Sequence, residues 1–170
     1  MEQKNLLRQE DIINLPPQDR IQGFDVRPGF YEINGASAFP NGVNFTIISF
    51  GAVSCTLLLF HRRERTPYAR LPFPAHYRVG NVFSMFVYGL EIDEFEYAYS
   101  IDGPFEPEKG LIFDKTKYLL DPYAKAVTGQ SGWGLCLGRE DFYKARVVHN
   151  DFRWDQPSQT FPALRDCVIY

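Results

Sequence analysis

The chain has 170 residues, 45% of them hydrophobic, which suffices for one core of ordinary size with extensions and is tight for two. A formal charge of -3, with no basic run beyond Arg62-Arg63 and nearby Arg65, supplies no field for a phosphate backbone, so nucleic acid is not an expected partner. No window approaches the ~20 apolar residues of a membrane span, and residues 1–20 lack the apolar stretch of a signal peptide, so the expected compartment is the cytoplasm, with no membrane partner.

Residues 1–22 are polar and interrupted by Pro16-Pro17, which predicts a short N-terminal arm with at most a helical turn or two. From Val43 the apolar period becomes two. Val43, Phe45 and Ile47 share one face of a predicted strand, and Asn44, Thr46 and Ile48 share the other. Gly51 marks a turn. Cys55, Leu57 and Leu59 then alternate with Thr56, Leu58 and Phe60, a run apolar on both faces that suits a central strand. After a basic, proline-punctuated loop over residues 61–74, Phe83, Met85 and Val87 alternate with Ser84, Phe86 and Tyr88 up to Gly89. Phe95, Tyr97, Tyr99 and Ile101 form the apolar face of a fourth strand, opposite Glu96, Ala98 and Ser100, and lead into Asp102-Gly103, which reads as a two-residue hairpin turn before Pro104. The segment after it ends on Leu119-Leu120-Asp121-Pro122-Tyr123-Ala124. Short strands at this spacing without a long amphipathic helix predict an all-β fold: an immunoglobulin-like antiparallel β-sandwich with an N-terminal arm and an irregular C-terminal connector. The expected division is residues 1–22 for the arm, 23–128 for the sandwich and 129–170 for the connector, whose Pro157 and Pro162 favour a rigid link over a strand. Val168-Ile169-Tyr170 opens a β-branched apolar run and stops, as though a buried strand were cut.

Few of these residues suggest chemistry. Three cysteines (Cys55, Cys136, Cys167) without C-x-x-C spacing support neither a disulfide framework nor a zinc site and read as buried thiols. His61, His76 and His149 are scattered, so no metal is expected, and Gly129, Gly132, Gly134 and Gly138 lack the order of a phosphate loop, so no cofactor is expected either. Glycoside hydrolysis requires two carboxyl groups ~5–10 Å apart across the scissile bond. Asp93, Glu94 and Glu96, and the pair Glu106 and Glu108, lie at or near predicted turns, where solvated acids are the ordinary expectation. Aromatic residues make up 16% of the chain. Phe45, Phe83, Phe95, Tyr97 and Tyr99 alternate inward and read as core, whereas Phe105, Tyr123, Trp133 and Trp154 fall outside the alternation and are candidates for stacking on sugar rings or for packing between domains.

The run YAYSIDGPFEPEKGLIFDKTKYLLDPYA over residues 97–124, the phrases Arg27-Pro28-Gly29 and Gly42-Val43-Asn44-Phe45, and the closing Asp166-Cys167-Val168-Ile169-Tyr170 resemble, in their shared order, the N-terminal module of isoamylase-type glycogen-debranching enzymes. That module is a carbohydrate-binding-module-48 domain of the α-amylase superfamily. The resemblance implies a non-catalytic module of an α-1,6-glucosidase, docked on a (β/α)8 catalytic barrel absent from these residues. It implies α-glucan contacted weakly or indirectly, and no catalytic residue within the chain. Residues 102–105 and 121–124 would then be turns facing the barrel, with Asp102, Gly103, Pro104, Asp121 and Pro122 as interdomain contacts. In glycogen-binding members a lysine occupies the position of Ala98 and a tryptophan that of Phe105, so an independent glycogen site is weakened here. Two alternatives share the fold: a free-standing regulatory glycogen-binding module, and the N-terminal module of a branching enzyme.

Overall fold

Val43, Phe45 and Ile47 on one strand and Phe83, Met85 and Val87 on another share one apolar side. They meet Cys55, Leu57 and Leu59 and Phe95, Tyr97, Tyr99 and Ile101 across a single core in the computed structural model, which describes residues 15–130 and 142–149. The strands, in chain order, are β1 (Asp19–Ile21), β2 (Phe24–Pro28), β3 (Gly35–Phe39), β4 (Gly42–Ile48), β5 (Ser54–His61), β6 (Ala69–Pro72), β7 (Arg78–Val79), β8 (Val82–Tyr88), β9 (Phe95–Asp102), β10 (Phe105–Glu106), β11 (Leu111–Ile112), β12 (Ala126–Thr128) and β13 (Lys144–Arg146). One sheet runs β1-β2-β8-β4-β3 with β7 beside β8, and the other runs β12-β13-β9-β5-β6, every pairing being antiparallel. Phe45 of the first sheet lies 5.3 Å from the Tyr97 ring of the second, edge to face, and Phe73 and Phe83 repeat that geometry at 6.2 Å. The fold is an immunoglobulin-like β-sandwich, as expected.

The four predicted strands correspond to β4, β5, β8 and β9. β5 is central and apolar on both sides for a visible reason: Leu57 and Leu59 enter the main core, while Leu58 and Phe60 join Ala98, Tyr118 and Phe142 in a second cluster on the outer face.

Several turns differ from expectation. Asp102-Gly103 is not a hairpin turn, because β9 pairs with β5 and β13, and β10 pairs only with β11. Neither residue has positive φ. Gly103 is required for another reason: a Cβ there would lie 2.6 Å from the Phe113 ring, so the chain leaves the sheet beneath that ring. The hairpin with two residues at positive φ is Gln22-Gly23 (φ 49° and 90°), between the paired Ile21 and Phe24. Its first strand, β1, lies inside the stretch expected to be an arm, and Tyr88 Oη donates to the Leu15 carbonyl at 2.5 Å to hold that stretch on the first sheet. Lys144–Arg146, in the stretch expected to be irregular, instead forms β13 between β9 and β12. The readings for residues 1–14, 131–141 and 150–170, including Cys136, Cys167 and the Val168-Ile169-Tyr170 exit, lie outside the described residues.

Beneath the first sheet's outer face is a buried polar knot. Asn44 Oδ1 accepts the Phe30 N–H at 2.7 Å, Asn44 Nδ2 donates to Thr46 Oγ1 at 3.1 Å, and the hydroxyls of Thr46 and Ser84 bond at 2.6 Å. Phe30 also packs against Phe39 and Phe86, so this knot fixes the loop between β2 and β3.

Candidate functional site

Two exposed regions remain once the core is assigned. The first is the end of the sandwich where β9 gives way to the β10–β11 hairpin. Phe105 faces Ile112 across that hairpin, and they are 69% and 68% exposed. The turn between β4 and β5 adjoins it: a Cβ on Gly51 would be 3.0 Å from Leu111, and its neighbours Phe50 and Val53 are 74% and 70% exposed. Four large apolar side chains thus share one end of the molecule, more than scattered surface exposure accounts for. Asp102 Oδ1 accepts the Gly103 N–H at 3.0 Å, and Oδ2 pairs with Lys115 Nζ at 3.4 Å. Pro104 is half-buried, with its carbonyl accepting the Phe113 N–H at 3.4 Å.

Asp121 faces inward. It is fully buried, accepting the Tyr97 phenol on Oδ2 at 2.8 Å and the Tyr123 N–H on Oδ1 at 2.8 Å. Its carboxylate therefore holds the turn from within, and only Pro122 and Tyr123 present surface there. Burial raises its pKa, and the bonds from Tyr123 and Tyr97 only partly oppose this. A raised folded-state pKa means that the cost of burying this charge is largest above the folded pKa and is relieved as pH falls through it. Asp121→Ala, which leaves the Tyr97 phenol buried without an acceptor, is expected to cost about 2–4 kcal/mol in urea unfolding, and Asp121→Asn, which keeps one acceptor and sheds the charge, under about 1.5 kcal/mol. Equal losses would show that the turn does not depend on these bonds.

The second region is the outer face of the β6-β5-β9 layer. Tyr118 and Phe142 close over Phe60 at ring separations of 5.8 and 5.6 Å and bury Ala98 beneath them. The Ala98 position, where the resemblance implies a lysine in glycogen-binding members, is thus roofed by aromatic rings. Beside it lies a feature that the sequence reading missed: Glu96, grouped there with solvated turn acids, is buried and ion-paired with Lys144 at 2.5 Å, each side chain 5% exposed. Its neighbours Asp93 and Glu94 are exposed as expected. The missed signal is the period-two pattern itself, which puts Glu96 on the same face of β9 as Ala98 and so under the second cluster. Burial pushes the Glu96 pKa up, but the Lys144 ammonium and the Arg63 N–H outweigh it and hold the carboxyl below its usual range.

Trp133 and Trp154, also read as stacking candidates, lie outside the described residues. Among the described residues no cluster of three or more His, Cys, Asp or Glu is placed to hold a metal, and no helix is long and apolar enough to cross a membrane.

Residues 33–124, more than half of the chain, match the family described as carbohydrate-binding module 48 (isoamylase N-terminal domain). The chain is 36% identical over 145 residues to the chloroplastic isoamylase SU1 of Zea mays, covering 80% of this chain and 18% of that protein. It is 36% identical over 105 residues to the glycogen debranching enzyme of Serratia proteamaculans (strain 568), covering 62% and 15%. The chain therefore spans under a quarter of the length of these relatives. In structure it is similar to a type I pullulanase from Bacillus subtilis str. 168 complexed with maltose, with a TM-score of 0.50, 20% identity and coverage of 76% of this chain and 15% of that one.

Proposed function

Because the chain belongs to the carbohydrate-binding module 48 (isoamylase N-terminal domain) family, we propose that it is the non-catalytic N-terminal module of a glycogen-debranching α-1,6-glucosidase, packed on and flanking that enzyme's catalytic barrel. The observation that carries the reading is the exposed apolar end formed by Phe50, Val53, Phe105 and Ile112. An isolated module gains nothing by wetting four such side chains, whereas burying them against a neighbouring domain contributes about 25 cal/mol per Å2. Asp102, Gly103 and Pro104 lead into the β10–β11 hairpin at that end, and Asp121 and Pro122 are proposed as a second interdomain contact. The reaction of the whole enzyme is proposed as retaining hydrolysis of α-1,6 branch linkages, with both carboxyl groups supplied by the barrel. We place it in a compartment that stores α-glucan, the cytoplasm in a bacterial host; relatives include chloroplastic isoamylases.

The test uses this chain and the barrel encoded with it, produced separately. Mixing them should give a complex detectable by titration calorimetry, weakened at least about tenfold by Phe50→Ser combined with Ile112→Ser, two exposed positions that the fold does not need. No association at high concentration, or association indifferent to those changes, would count against the apolar end as the docking face. Incubated alone with glycogen, the chain should release no reducing ends.

A further inference from the structure

The exposed apolar end has a third component on the far side of the turn between β4 and β5. The Ser49 N–H donates to the Asn81 carbonyl at 2.9 Å, and Arg78 Nη1 reaches the Val53 carbonyl at 3.5 Å, so the β7–β8 hairpin is tied to that turn. The hairpin brings exposed Val79 to the same end as Phe50 and Val53.

Arg78 sits at this junction, half-buried. Its guanidinium is held from several sides. Nε donates to the Gly80 carbonyl at 2.7 Å, and the guanidinium carbon lies 4.8 Å from the centre of the ring of Phe83, its cross-strand partner. No acid answers it. Arg20 is paired with Asp25 and Arg146 with Asp93, and beside the β10–β11 hairpin Lys115 is paired with Asp102 and Lys109 with Glu106. Arg78 makes no ion pair among the described residues, and its Nη2 makes no hydrogen bond there. Water is left to satisfy that group. A neighbour that covers Phe50, Val53 and Val79 must cover Arg78 as well, and removing water from a fixed cation is unfavourable unless a charged acceptor takes its place. The orientation is already set by two carbonyls and a ring, so pairing sacrifices little side-chain freedom. An arginine prepared in this way is suited to dominate an interface.

We infer that Arg78 is the polar anchor of the apolar end and takes a carboxylate from the surface of the barrel that docks there. The inference rests on the docking reading above and adds to it one charged contact and the sign of its partner. In calorimetric titration of the chain with the separately produced barrel, Arg78→Met, which keeps a stem on Phe83, should raise the dissociation constant about tenfold. Arg78→Glu should raise it by at least a further factor of about five at low salt, because two acids then face each other. Added salt should weaken binding of the unmodified chain severalfold more than binding of Arg78→Met, a difference that lost packing alone would not produce. Arg78→Lys keeps the charge without the planar fork and should retain the salt response at reduced affinity, which preserves the test if the methionine variant does not fold. If all three variants bind as the unmodified chain does while Phe50→Ser combined with Ile112→Ser does not, the inference falls and the docking reading stands. If Arg78→Glu binds as tightly as Arg78→Met or more tightly, no acid faces the position and the inference is overturned. If chain and barrel do not associate at all, both fall.

Discussion

Lys144→Met is expected to destabilise the chain by about 3–5 kcal/mol, the range for removing one partner of a buried ion pair. The size follows from what Lys144 satisfies. Its ammonium sits 2.5 Å from Glu96 Oε2, donates to the Glu64 carbonyl at 2.5 Å and lies 5.2 Å from the centre of the Phe60 ring. Methionine of similar length retains the packing and abandons the Glu96 carboxylate in an apolar enclosure, and the carboxylate must then take up a proton to remain there. Glu96→Gln combined with Lys144→Met should recover more than half of the loss, since the cost comes from the orphaned charge. Urea midpoints for the three proteins decide it: a loss under about 1 kcal/mol for Lys144→Met would mean that the pair is expendable.

The same pair predicts a pH signature. The folded-state pKa of Glu96 is lowered, so its stabilisation is fully present above the unfolded value of about 4.3 and disappears as pH falls through the folded value. Asp121 has the opposite sign, its burial cost being relieved in acid. Unfolding measured from pH 7 to pH 3 should therefore show the gap between the unmodified chain and Lys144→Met narrowing as pH falls, first as acid neutralises the orphaned Glu96 of the variant and then, below about pH 4.3, as the unmodified chain loses its ion pair. In Asp121→Asn, acid should destabilise the protein more steeply, because the compensating term is gone. A constant gap across that range would place the cost of Lys144→Met in packing instead of charge.

Period-two alternation made the four principal strands and their core faces legible, because side chains of a half-buried sheet are sorted by face and nothing else needs to be known. Short strands escaped for the converse reason. β1, β7, β10 and β13 have two or three residues each, too few to establish a period, and they exist because a longer neighbour offers an edge. Asp102-Gly103 misled because the dipeptide encodes a turn only if both residues take positive φ; here a ring above Gly103 sets the requirement. At the candidate site Phe105 and Tyr123 were legible as rings outside the alternation. The orientation of Asp121 was not, since an Asp-Pro turn looks the same whether its carboxylate faces solvent or a buried tyrosine.

Asn44→Ala and Gly29→Ala are expected to fail at the same place, although the two residues are far apart in sequence and sit in separate phrases of the family resemblance. A Cβ on Gly29 would lie 2.3 Å from Ser84 Oγ, 2.5 Å from Asn44 Oδ1 and 2.7 Å from the Met85 backbone nitrogen. The chain passes this point only because glycine has no side chain, and that passage brings the Phe30 N–H onto the Asn44 carboxamide at 2.7 Å. Asn44→Ala removes that acceptor, together with the donor to Thr46, inside a site that water does not enter, at an expected cost of about 3 kcal/mol. Gly29→Ala pushes against a backbone atom that cannot swing away, with an expected cost of about 2–3 kcal/mol. Both changes spoil one knot, so the double variant should lose clearly less than the sum of the singles, by at least about 1 kcal/mol. Additive losses would show that Arg27-Pro28-Gly29 and Gly42-Val43-Asn44-Phe45 serve the fold independently. Sub-additive ones would mean that the two phrases serve the fold as one unit, each supplying half of a single contact, glycine the clearance and asparagine the hydrogen bond that closes it.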